Sequence, residues 1–166
     1  LRPITADDIV ILLRSPGSVG GHYLYALESR GIPCTTGDSE DLLGTKEISV
    51  LVSLLRVLNN PLQDIPLLGV LTSNVFCYTA DELARLRSIN KDTSIWSLLQ
   101  LDKKKKSVKF LNTVLQLRKD AQVYSLTQLV QRLLRATSFD SVYRAMPDGE
   151  KRVENIHAFL QLVSDY

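Results

Sequence analysis

The sequence predicts a mainly α-helical protein with a short α/β segment at its start. Apolar residues recur at helical spacing in several separate segments after residue 44. Only two short runs, Asp8–Leu13 and Ile32–Thr35, are rich in β-branched residues and typical of strands. We therefore expect a strand–helix–strand unit in residues 1–36 and an all-helical region in residues 37–166.

A turn and a glycine define the first elements. The strand Asp8–Leu13 should end at a Pro-Gly turn, and a helix from about Val19 to Arg30 should bury Leu24 and Leu27 before Gly31 ends it. A strand–helix–strand order implies a parallel pair with a right-handed crossover. Two strands are too few for a stable sheet, so we expect the remaining strands elsewhere in a longer chain.

The most apolar stretch runs from Gly44 to Leu71. Thr45 is placed to cap a helix that ends at Asn59-Asn60-Pro61, because proline cannot continue the hydrogen-bond ladder. Asp64 should cap a second, short helix. A helix that is apolar on two sides is buried between neighbours. Its two faces consist of Ile48, Leu51, Val52, Leu55 and Leu58, and of Val50, Leu54 and Val57.

Start signals divide the rest of the chain into further helices. Ser or Thr followed three residues later by Glu or Gln forms a capping box, and a lone Ser also caps. The predicted helices begin at the capping box Thr79–Glu82, after Ser94, at Ser107 (continuing to Tyr124), at the capping box Ser125–Gln128 and near Glu150.

Composition restricts the functional classes. The net charge is only +2, but acidic residues predominate before residue 91 and basic residues after it, a weak indication of an acidic partner such as nucleic acid. Cys34 and Cys77 are the only cysteines, and with two His nothing has metal-ligand spacing. They are typical of buried thiols in a reducing compartment. No signal peptide or membrane-spanning run is present. The chain lacks an initial Met and ends within a helical pattern, so we expect a piece of a larger protein.

No motif for catalysis is present. The sequence contains neither G-x-x-x-x-G-K-[ST] nor G-x-S-x-G. Gly17–Gly21 lacks the spacing of a phosphate-binding loop, and we interpret it as a plain turn. Asp38, Glu40 and Asp41 are interpreted as an acidic surface loop rather than a metal site, and His157 as a packed or surface histidine. We predict no catalytic residue and no metal ligand.

The run Lys103–Lys106 is the densest positive charge in the chain. Four adjacent cations can neutralise phosphates and make binding strongly salt-dependent. The alternative is a solvated loop between helices, which the absence of interleaved aromatic residues favours.

Several phrases, taken in order, resemble one family. They are DIVILLRS (Asp8–Ser15), ALESRGIP (Ala26–Pro33), KEI (Lys46–Ile48), LLRVLNNP (Leu54–Pro61), DIPL (Asp64–Leu67), DELARLR (Asp81–Arg87) and EKRVENI (Glu150–Ile156). The set resembles UvrD/PcrA-like superfamily 1 DNA helicases, and among them the AddA (RexA-like) helicase–nuclease subunit.

The resemblance implies a place in a parent helicase. Residues 1–36 would belong to the second RecA-like motor domain, and residues 37–166 to the helical accessory subdomain inserted into it. ATP and Mg²⁺ would bind elsewhere in the parent, so this stretch would hold no cofactor and would neither hydrolyse ATP nor cut DNA alone. The implied partners are DNA at a single-strand/duplex junction and a second subunit, with no membrane, in the bacterial cytosol, during double-strand-break repair.

Candidate DNA contacts combine the resemblance with the residues. Arg14 and Ser15 would follow the first strand, where α/β sheets place ligands, and Lys103, Lys104, Lys105 and Lys106 would form a nonspecific phosphate patch. Lys46, Glu47 and Arg56 match family phrases but fit a structural role equally well.

One segment departs from the family. UvrD and PcrA carry a Gly-Ile-Gly turn that contacts duplex phosphates, whereas Asn74–Tyr78 contains no glycine, so we assign no such role there. A protein–protein docking scaffold therefore stays open as the alternative function, and an independent helical regulator as a weaker one.

Overall fold

The structure, a computed structural model, describes residues 2–34 and 42–165. The chain separates into two compact units, Leu1–Asp41 and Leu42–Tyr166. The first contains a 3₁₀ turn, Ala6–Asp8, and the helix α1 (Pro16–Glu28). The second begins with a 3₁₀ turn, Leu42–Gly44, and continues with α2 (Lys46–Asn59), α3 (Asp64–Thr72), α4 (Ala80–Ile89), α5 (Ile95–Leu101), α6 (Lys105–Asp120), α7 (Leu126–Thr137), α8 (Phe139–Arg144) and α9 (Gly149–Ser164).

The mainly helical class is confirmed, but the strand–helix–strand start is wrong. No strand forms in the described ranges 2–34 and 42–165. A strand needs a neighbouring strand to accept and donate its backbone hydrogen bonds, and here Val10 is 77% and Leu12 92% exposed. The same holds for the described part of the second predicted strand, Ile32–Cys34. The predicted division at residues 36 and 37 and the acidic loop residues 38, 40 and 41 lie outside the described residues.

The end of α1 follows the predicted glycine signal. Gly31 has φ +71°, a left-handed conformation that glycine adopts without a steric penalty. The amide of Ile32 donates to the carbonyl of Leu27 at 3.1 Å, and the amide of Gly31 donates to the carbonyl of Glu28 at 2.9 Å. This pair of bonds is a Schellman motif. Leu24 and Leu27 are half-buried rather than buried.

Helix α2 is the central helix of the second unit. Its two apolar faces place Ile48, Leu51, Leu54 and Val57 in the core with at most 1% exposure, and it packs against α3, α6 and α9. The prediction of a helix buried on two sides is confirmed. It ends at Asn59 before Pro61, as predicted.

Most predicted start signals are correct. Glu82 and Thr79 form a reciprocal capping box, as do Gln128 and Ser125, and the Ser94 hydroxyl accepts from the Ser97 amide. Two predicted caps are wrong. The Thr45 hydroxyl donates to the Leu42 carbonyl instead of capping α2.

Asp64 is the second of these, because α3 begins at this residue rather than after it. Its carboxylate accepts from the amide of Ile95 at 3.0 Å and from Arg87 Nη2 at 3.1 Å. Asp64 therefore ties the start of α3 to α4 and to the start of α5.

The lower part of the core is closed by α7, α8 and α9, which pack on one another. The sequence did not indicate α8 as a separate helix. A Cβ on Gly149 would lie 2.0 Å from the carbonyl oxygen of Arg144, so the start of α9 tolerates only glycine against the end of α8. The buried apolar side chains of these helices are Leu129, Val130, Leu133, Leu134, Phe139, Tyr143, Val153, Ile156 and Phe159.

Candidate nucleic-acid interface

The predicted lysine patch lies at the N-terminus of α6. Lys103 and Lys104 precede the helix, which begins at Lys105, two residues earlier than predicted. The side chains of Lys103, Lys104 and Lys105 are exposed, and within the described part of the chain their ammonium groups form no hydrogen bond or ion pair. We call these three residues the lysine cluster. The partial positive charge of the helix N-terminus adds to their charge and favours an anion there.

Lys106 is held by the protein itself. Its Nζ donates to Glu82 Oε2 at 2.6 Å and to the Cys77 carbonyl at 2.7 Å, and it lies 4.4 Å from the centroid of the Tyr78 ring. The hydrogen bond from Lys106 is the main cause that lowers the pKa of Glu82 below its ordinary value. The structure thus separates Lys106 from its three neighbours, which the sequence pattern had grouped together.

A buried carboxylate anchors the loop that carries the lysine cluster. Asp102 is 9% exposed and accepts from Ser107 Oγ at 2.7 Å and from Arg85 Nη2 at 3.2 Å. Tyr78 donates its hydroxyl to Ser107 Oγ at 3.2 Å. Burial acts to raise the pKa of Asp102, but the hydrogen bonds from Ser107 and Arg85 and the charge of Arg85 outweigh it and lower the pKa. Sequence reasoning missed this network, whose only local signal was an acid directly before the lysine run.

The turn between α3 and α4 uses its own amides. Phe76 and Cys77 donate to the carbonyl of Ser73 at 3.2 and 2.8 Å, and Tyr78 donates to that of Leu71 at 2.9 Å. Cys77 has φ +54°, a left-handed conformation that glycine adopts at lower cost. These three amides therefore point at protein carbonyls and not at a phosphate. The Cys77 side chain is exposed, in contrast to the buried thiol predicted.

Glu47 of the family phrase lies in a structural clasp between α2 and α9. It is 1% exposed, and its oxygens accept from Arg152 Nη1 and from Asn155 Nδ2, both at 2.7 Å. We call Glu47, Arg152 and Asn155 the α2–α9 clasp. Burial acts to raise the pKa of Glu47, but the bonds from Asn155 and Arg152 outweigh it and lower the pKa.

The clasp joins two of the quoted family phrases, which lie more than a hundred residues apart. Tyr143 lies close enough to feel its charge: burial, and then the carboxylate of Glu47, raise the pKa of Tyr143 to about 12. Lys46 and Arg56 are exposed on the same helix. The clasp is saturated by protein contacts, which supports a structural role for Glu47.

Arg14 and Ser15 lie in the first unit. Arg14 is exposed, and Ser15 is the residue before α1 in the N-cap position. Because no strand precedes them, the argument from the carboxyl end of a strand no longer applies. Their assignment to DNA stays a prediction.

The described residues contain no metal-binding group. No cluster of three His, Cys, Asp or Glu side chains with ligating geometry occurs in ranges 2–34 and 42–165. Within the same ranges, no helix combines the length and apolar character needed to cross a bilayer.

Comparison with known proteins identifies the family. The UvrD-like helicase C-terminal domain matches residues 2–166. The chain is 34% identical to an AddA-type ATP-dependent helicase/nuclease subunit of Acetivibrio thermocellus, with 93% of this chain and 13% of that protein covered. It is 33% identical to proteins of the same name from Geobacillus thermodenitrificans and Carboxydothermus hydrogenoformans, covering 96% and 99% of this chain and 14% and 15% of theirs.

The chain therefore belongs to the UvrD-like helicase C-terminal domain family. The resemblance predicted from the quoted phrases is confirmed, both to UvrD-like helicases and to AddA-type helicase/nuclease proteins. The chain spans only 13–15% of the length of these three relatives.

Proposed function

We propose that this chain is the DNA-facing accessory region of an ATP-dependent helicase/nuclease subunit that processes DNA double-strand breaks in the bacterial cytosol. The observation that carries the proposal is the lysine cluster, three exposed cations at the N-terminus of α6. The names of the relatives support a helicase parent. In this proposal ATP and Mg²⁺ bind elsewhere in the parent, whose motor moves along one strand.

The role of the helical body is to hold DNA rather than to react with it. Lysine contacts to phosphates position a nucleic acid without reading its sequence, as a moving helicase requires. The buried carboxylate of Asp102 restrains the loop before α6, so the cluster is presented from an ordered position. Residues 1–36 would belong to the second motor domain and residues 37–166 to its helical insertion.

The test is binding of a duplex with a single-stranded tail, measured by fluorescence anisotropy over a range of salt concentrations. Combined replacement of Lys103, Lys104 and Lys105 by Ala should weaken binding and reduce the salt slope by up to about 0.9 for each duplex phosphate that is no longer neutralised. Lys119→Ala is the matched control, because Lys119 is an exposed lysine near the opposite end of α6. Equal slopes for the triple variant and the wild type would remove the lysine cluster from the DNA interface.

The second candidate function is docking of a partner subunit. Exposed apolar side chains on the second unit favour it, since Ile65 is 87% and Leu62 60% exposed. A partner retained by the chain in high salt, together with no DNA binding at low salt, would establish docking instead.

A further inference from the structure

A second basic surface lies between α6 and α7. An open groove of about 800 Å³ is lined by the C-terminal half of α6, by Tyr124 in the connecting turn and by α7. Its midpoint on α6, near Gln116, is about 16 Å along the helix from Lys105 at a rise of 1.5 Å per residue. The groove is therefore a surface separate from the lysine cluster.

Two arginines dominate the charge of this groove. Arg132 and Arg135 are both exposed and lie one helical turn apart on α7, so they share a face. The carboxylate facing them, Asp120, is largely covered, with 13% of its side chain exposed. It accepts from Gln116 Nε2 at 3.1 Å and lies 3.7 Å from Arg132 Nη1. The groove thus presents two guanidinium groups against one shielded carboxylate.

The groove also contains a flat, stacked pair. The guanidinium of Arg132 lies 3.7 Å from the centroid of the Tyr124 ring. Gln128 uses its amide oxygen to accept from the Ser125 amide, which leaves its NH₂ group as a donor. A planar cation on an aromatic ring, flanked by amide donors, is the combination that binds a strand with unpaired bases.

We propose that the α6–α7 groove binds single-stranded nucleic acid, with Arg132 and Arg135 on phosphates and the Arg132–Tyr124 pair as a platform for a base. This inference rests on the proposed function and extends it from duplex phosphates to the displaced strand. Packed helices have axes about 8–10 Å apart, so the groove between them admits one strand and not a duplex. A peptide would need a buried apolar anchor pocket, whereas Leu117 and Ala136 supply the aliphatic lining here.

The first test is anisotropy of a fluorescent thymidine oligonucleotide with the 166-residue chain. A contact to single-strand phosphate contributes about 0.7 to the salt slope, so at 0.1 M salt it is worth roughly fivefold in affinity. The double variant Arg132→Ala/Arg135→Ala should leave both phosphates without a cation and bind about 25-fold more weakly. The control Lys91→Ala/Lys119→Ala removes two exposed cations outside the groove and should bind like wild type. Thermal unfolding checks that each variant is folded.

The second test needs no substitution. An oligonucleotide carrying 4-thiothymidine, irradiated on the wild-type chain, should cross-link to the peptide that contains Tyr124. Unchanged affinity and salt slope in the groove variant, or cross-links confined to other peptides, would overturn the inference.

The two proposals fail separately. Loss of tailed-duplex binding in the lysine variant with normal strand binding in the groove variant would retain the proposed function and reject this site. Loss of strand binding in the groove variant alone would retain this site and reject the lysine cluster. A wild-type chain that binds no DNA would reject both.

Discussion

The α2–α9 clasp and the lysine cluster are two charged regions with opposite roles. In the clasp, Glu47 is 1% exposed and both of its oxygens accept hydrogen bonds from the other helix. In the lysine cluster, three cations are exposed with no partner among the described residues. Both regions belong to phrases or runs that stand out in the sequence. Burial and saturation of hydrogen bonds, rather than charge itself, decide which one stabilises the fold and which is available to a ligand.

The physical reason is desolvation. A buried carboxylate has lost its water and needs protein donors to replace it, so a site of this kind cannot exchange its partners for a phosphate. An exposed lysine keeps its hydration and gains by neutralising a phosphate and releasing counterions. Lys106 is intermediate, because it is half-buried and bound to Glu82.

The largest effect is expected from breaking the clasp. Arg152→Ala leaves the Glu47 carboxylate buried without its cation, and removing one partner of a buried pair costs about 3–5 kcal/mol. Urea unfolding at neutral pH measures this loss. The triple lysine variant is the contrasting control and should stay within about 0.5 kcal/mol of wild type, as surface changes do. A loss in Arg152→Ala no larger than in this control would show that the clasp is not structural.

Acid should weaken the clasp next. The folded-state pKa of Glu47 is lowered from 4.5, so the folded state binds this proton less readily than the unfolded chain. The resulting stability is complete above about pH 4.5 and is lost as the pH falls through the folded pKa. Asp102 acts in the same direction, with its pKa lowered from 3.8.

Glu47→Gln removes one of these two titrations. Urea unfolding between neutral pH and about pH 3 should show a shallower acid decline in this variant than in the wild type, although its stability at neutral pH is lower. Parallel declines in both proteins would exclude Glu47 as a source of the pH dependence.

The smallest effect is expected in the turn beside the lysine cluster. Cys77 has φ +54°, and a left-handed conformation costs a residue with a Cβ about 1–2 kcal/mol. Cys77→Gly should therefore stabilise the chain by about 0.5–1 kcal/mol after the extra backbone entropy of glycine is subtracted. Cys77→Ala keeps the Cβ and is the matched control without this gain. Denaturant midpoints measure both, and equal midpoints for Gly and Ala would show that the backbone there is unstrained.

Much of the helical body was predictable, because the signals for helices are local. The capping boxes at Thr79 and Ser125, the end of α2 before Pro61 and the glycine at position 31 each depend on bonds within a few residues. The two wrong caps show the limit of that rule. Asp64 and Thr45 bind groups outside their own helix starts, in contacts that no local pattern indicates.

By itself, the sequence determined where the helices of the second unit begin and end, which of their faces are buried, and the family to which the chain belongs. Tertiary structure decided that Asp8–Leu13 is not a strand, that Glu47 meets Arg152 and Asn155, and that Lys106 is occupied while its three neighbours are not. A helix satisfies its backbone within itself, so its residues specify it locally. Strand pairing, and the partners of a charge, depend on groups that are distant along the chain.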